Sequence, residues 1–105
     1  MHELDRNILE LREEKKVLQS LERLLVNPDF QKVILDDFLT KHPLSLLKGK
    51  GRLNLTPEAN LDIDRQLECV ALFQMYLETK TSQIADIDIK IHDAETLRDQ
   101  ETRNT

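Results

Sequence analysis

Ile63-Asp64-Arg65-Gln66-Leu67-Glu68-Cys69-Val70-Ala71-Leu72-Phe73-Gln74-Met75-Tyr76-Leu77 opens a pattern that continues through Ile84 to Ile91. Ile63, Val70, Leu77, Ile84 and Ile91 recur every seven residues, and Leu67, Phe73, Ile87 and Ala94 widen the stripe. A seven-residue repeat sustained over this length is the signature of a long amphipathic helix with a coiled-coil seam. Nothing between Glu58 and Asp99 would break a helix, although Thr79, Thr81 and Ser82 make a soft spot. Thr56-Pro57-Glu58 supplies its start, with a capping hydroxyl, a proline at the first helical position and an acid in the first turn. The spacing predicts a helix over 57–99, about 60 Å long, followed by a polar tail, 101–105, that frays.

Working back towards the N-terminus, Leu4, Leu11, Leu18 and Leu25 are also seven apart, with Ile8, Leu21 and Leu24 on the same side. Asp5, Glu10, Glu13 and Glu14 lie early and Arg23 late, an order that suits the helix dipole. This predicts a first helix over 2–26. Asn27-Pro28-Asp29 repeats the cap, proline and acid signature, and Phe30, Val33, Ile34, Leu35, Phe38 and Leu39 make the next segment apolar over a wide arc. A short, strongly buried middle helix over 28–41 is expected, ending where Pro43 disfavours helix in the residue before it. Residues 43–56 then read as a loop, basic and holding both glycines of the chain, in Lys48-Gly49-Lys50-Gly51-Arg52.

The expected architecture is all-α and a single helical domain over 1–100. A long N-terminal helix, a short middle helix and a basic loop precede a long C-terminal helix that packs back as an antiparallel hairpin or coiled coil. Composition agrees, since 33% of the 105 residues are charged and only 4% aromatic, so Leu, Ile and Val stripes must supply the core. A chain this short leaves little room for a buried catalytic pocket. Two glycines and three prolines are too few for the turns of a sheet protein.

One cysteine, Cys69, rules out an intrachain disulfide and a thiolate metal cluster within one chain. No apolar run approaches the length needed to cross a bilayer, so a membrane partner is not expected. The net charge of −5 argues against wholesale nucleic-acid binding. It is unevenly spread, at −1 over 1–26, +2 over 27–57 and −6 over 58–105.

Two groups of residues emerge as candidate sites. Lys41, Lys48, Lys50 and Arg52 gather between Asp37 and Glu58 with no acid among them, and the glycines would let backbone amides approach a phosphate. The loop lacks P-loop spacing, so anion or nucleotide binding is implied without hydrolysis. The second group is the seam itself. A first helix of about 25 residues cannot cover so long a stripe, which assigns Ile63, Val70, Leu77, Ile84, Ile87 and Ile91, with Leu4, Leu11 and Leu18, to an interface between copies of the chain. Asp88, His92 and Glu95 share a helical face, but no His or Cys elsewhere completes a metal set. No nucleophile with a base partner is evident, and no catalytic residue, metal or cofactor is expected.

The run Leu21-Glu22-Arg23-Leu24-Leu25-Val26-Asn27-Pro28-Asp29-Phe30-Gln31-Lys32-Val33-Ile34 resembles a group of short coiled-coil proteins of tailed bacteriophages, in which a leading helix meets an Asn-Pro-Asp-Phe-x-Lys element. The likeness in layout covers residues 1–97, and the motif itself Asn27 to Ile34. The chain departs from that pattern at Lys48 to Arg52. The resemblance implies a phage source, in the host cytoplasm or the virion.

The leading expectation is a non-enzymatic, self-associating structural protein acting through surface contacts, with a phage structural protein or a host protein as further partner. Two other classes remain open. One is an oligomeric sponge in which Lys48, Lys50 and Arg52, with Phe38 or Tyr76 as stacking partner, sequester phosphate-bearing nucleotide signals of host anti-phage defence. The other is nucleic-acid contact through the same loop.

Overall fold

The computed structural model describes residues 2–52 and 54–104, His2 by its backbone alone. It is all-helical, with no strand among the described residues. The elements are α1 (His2–Leu25), α2 (Pro28–Phe30), a π-helix π1 (Gln31–Lys41), α3 (His42–Lys50) and α4 (Pro57–Arg103). They form two compact units, one made of Met1–Arg23 and Thr79–Thr105, the other of Leu24–Glu78.

In the first unit α1 packs against the last part of α4. Leu18, only 1% exposed, forms a core with Ile87 and Ile91, against which Leu11 and Ile84 pack; Ile8, Leu21 and Ala94 are buried as well. Charged side chains flank this core. Asp5 meets Arg98, Arg12 meets Glu95 at 3.1 Å, Glu14 meets Lys80 and Lys15 meets Asp88. Such partly exposed pairs contribute little individually, and their value lies in fixing which residues face each other.

The second unit starts at the cap read from the sequence. Asn27 accepts hydrogen bonds from the amides of Asp29 at 2.9 Å and Phe30 at 3.1 Å, with Pro28 in the first turn. Gln31 turns back to satisfy the Leu25 carbonyl left open at the end of α1, with Nε2 at 2.7 Å. Thr56 caps α4 in the same manner, its hydroxyl accepting from the Ala59 amide at 3.1 Å.

Between these caps the structure corrects the expected loop. The chain stays helical through Pro43 to Lys50, so only residues 51–56 connect the helices. The π-helix explains how a proline is tolerated. The His42 amide reaches five residues back to the Asp37 carbonyl, and the Thr40 hydroxyl likewise reaches the Leu35 carbonyl at 2.9 Å. These wider turns relieve the clash that a proline ring makes in a regular α-turn, and Pro43 falls in the first turn of α3, where a missing N–H costs least.

The middle segment is also less buried than expected. None of α2, π1 or α3 holds a fully buried residue, and Val33 is 57% exposed. Its apolar arc is used for partial contact with α4: Phe38 stacks on His42 with ring centroids 5.8 Å apart and meets Phe73 edge-on at the same separation. Lys50 of α3 pairs with Asp64 of α4. The C-terminal end differs too, since α4 runs to Arg103, beyond the expected end at 99, while Thr105 of the expected tail lies outside the described residues.

Candidate interaction surface on the last helix

The residues expected at an interface between copies are sheltered within the chain itself, some fully and some in part. Leu18, Val70, Ile87 and Ile91 are buried, and Leu4, Leu11, Ile63, Leu77 and Ile84 are half-buried. The reason is the amount of cover. α1 covers the C-terminal part, where Leu18 lies on Ile87 and Ile91 with Leu11 and Ile84 packed against them, while the helix from Pro28 to Lys50 meets the earlier part of α4 through Phe38 and Phe73. Ile87 and Ile91, expected to need a second copy of the chain, are thus buried against α1, and Ile84 is half-buried beside them.

A different face of α4 is open. Leu61, Leu72, Met75 and Tyr76 are 49%, 60%, 61% and 54% exposed. At 100° per residue these four lie within an arc of about 100°, and Leu72 points about 160° away from the buried Val70. From Leu61 to Leu77, α4 is thus apolar on two opposite sides, one covered and one not. The arc also carries Arg65 and Glu68, both exposed and neither in an ion pair among the described residues.

Beside this face Phe38, His42, Arg65, Gln66, Cys69 and Val70 line an open recess of about 210 Å³. Cys69 is exposed at it. His42 continues the helical path into α3 and stacks on Phe38.

The basic residues do not build the anticipated phosphate cradle. Lys41 ends π1, Lys48 and Lys50 belong to α3, and only Arg52 lies in the connection. Neither glycine has a positive φ. The Gly51 amide donates to the Lys48 carbonyl and the Arg52 amide to the Gly49 carbonyl, both at 3.2 Å, so these backbone donors already have acceptors. Lys50 is held by Asp64, while Lys41, Lys48 and Arg52 are exposed.

Asp88 and Glu95 are likewise committed, to Lys15 and Arg12, and no group of three metal-ligating side chains occurs among the described residues. Among those residues no helix is long and apolar enough to cross a membrane.

Sequence reasoning missed Leu61, Leu72, Met75 and Tyr76. The signal was present as a second stripe with spacings of eleven, three and one, running beside the seven-residue seam. No family model, curated protein or solved structure matches the chain.

Proposed function

We propose that the protein is a non-catalytic, self-associating helical module that acts through surface contacts, and that the outer face of α4 is its contact surface. The observation that carries this reading is the exposed Leu61, Leu72, Met75 and Tyr76 stripe opposite the covered seam. Met75 and Tyr76 adjoin Leu72 on this arc, and exposed apolar side chains grouped in this way, unlike ones scattered singly, mark protein contacts. Within the first unit the long helices act as an antiparallel coiled coil. The pairs Asp5 with Arg98, Arg12 with Glu95 and Lys15 with Asp88 support this, since the numbers rise along α1 as they fall along α4. On the resemblance of Asn27 to Ile34 to phage proteins, we take its setting to be that of a virion accessory or a modulator of a host protein.

Light scattering on the full chain after size-exclusion chromatography tests the reading. A mass of two or more chains in the micromolar range is expected. A single-chain mass at every concentration would remove the self-association on which it depends.

A further inference from the structure

The exposed arc of α4 carries four residues whose spacing is the same in both directions and whose two charges are of opposite sign. Leu61, Arg65, Glu68 and Leu72 are separated by four, three and four residues, with leucines outside and opposite charges inside. On a regular helix they fall within about 60° of one another and span about 16 Å. All four are exposed, and Arg65 and Glu68 form no ion pair among the described residues, although neighbouring Asp64 is paired with Lys50.

We propose that a second copy of this chain docks on this face, antiparallel, about a two-fold axis passing level with the peptide between Gln66 and Leu67. Leu61 of each protomer then meets Leu72 of its partner, and Arg65 of each meets Glu68 of its partner. The inference rests on the self-association proposed above and adds its symmetry and register. In an isologous contact, residue i touches residue j and j touches i, so a surface patch must be complementary to itself. The four-three-four spacing meets that requirement, with two apolar pairs and two opposite-charge pairs generated by one axis. A parallel pairing in register would set Arg65 against Arg65 and Glu68 against Glu68, and two like-charge contacts select against it. The same register carries Met75 and Tyr76 towards Glu58 and Pro57 of the partner, which brings the rest of the exposed stripe under cover.

The test is charge reversal in the full chain, read by sedimentation equilibrium, with far-UV circular dichroism confirming that each variant stays helical. Arg65→Glu and Glu68→Arg are each expected to weaken association about tenfold or more, because each converts both ion pairs into like-charge contacts. The double variant R65E/E68R restores both pairs and is expected to associate as the unaltered chain does. Mixing the two single variants in equal amounts is also expected to restore association, since the mixed pair brings Glu opposite Arg at both contacts.

Single reversals that associate as tightly as the unaltered chain would overturn the register while leaving self-association in place. So would a double variant or a mixture that shows no recovery. An unaltered chain that stays monomeric would overturn both.

Discussion

Gly49 of α3 faces Ile63 of α4 across the space of one methyl group, for a Cβ added to Gly49 would lie 3.5 Å from Ile63 Cδ1. That is ordinary van der Waals contact, and Gly49 has a helical backbone that any residue adopts. The glycine therefore costs helix stability without admitting a close approach. Gly49→Ala is expected to raise unfolding stability by about 0.5–1 kcal/mol, measured by urea denaturation. A loss of stability would mean that α3 does not lie against Ile63 as described.

Leu18 and Leu72 have opposite fates, at 1% and 60% exposed. Leu18→Ala empties the centre of the first unit and is expected to cost about 2–5 kcal/mol. Leu72→Ala, read at concentrations where the chain is monomeric, is expected to change stability by no more than about 0.5 kcal/mol. Thermal or denaturant unfolding of the two variants separates core from surface directly.

Gln83 Oε1 is buried without a hydrogen-bond partner among the described residues. An unsatisfied polar atom of this kind costs its desolvation, so an apolar side chain of similar size should serve better. Gln83→Leu is expected to stabilise the chain by about 1 kcal/mol. Unchanged or lowered stability would show that this oxygen accepts a hydrogen bond in solution.

Asn27 satisfies two amides at the start of the middle segment, and Thr56 one at the start of α4. Replacing either by Ala is expected to cost about 1 kcal/mol, with Asn27→Asp restoring most of the first loss. Denaturation midpoints at constant m-value would show it.

Both caps were legible in the sequence, because Asn-Pro-Asp and Thr-Pro-Glu state a local hydrogen-bonding need that tertiary packing rarely overrides. The seven-residue seam was legible as well, for every one of Ile63, Val70, Leu77, Ile84 and Ile91 is buried or half-buried. What covers it was not, since periodicity reports that a face is sheltered and is silent on which segment shelters it. The misread cover followed from a misread loop. Pro43, Gly49 and Gly51 are local stop signals, whereas the wide turns of π1 that carry helix past the proline leave no mark in propensity. Lys48, Lys50 and Arg52 are neighbours along the chain, yet Asp64 claims one of them from another helix, a pairing that no linear charge count reveals. The second stripe on α4 escaped notice because the search for one dominant period passes over a weaker face behind it.

The mass of the Leu72→Asp variant beside that of the unaltered chain tests the central claim most directly, by sedimentation equilibrium over the micromolar range. A charge in place of this exposed leucine on the outer α4 face is expected to leave a helical monomer where the unaltered chain forms an assembly. Equal association of the two proteins, or a monomeric unaltered chain, would contradict the account.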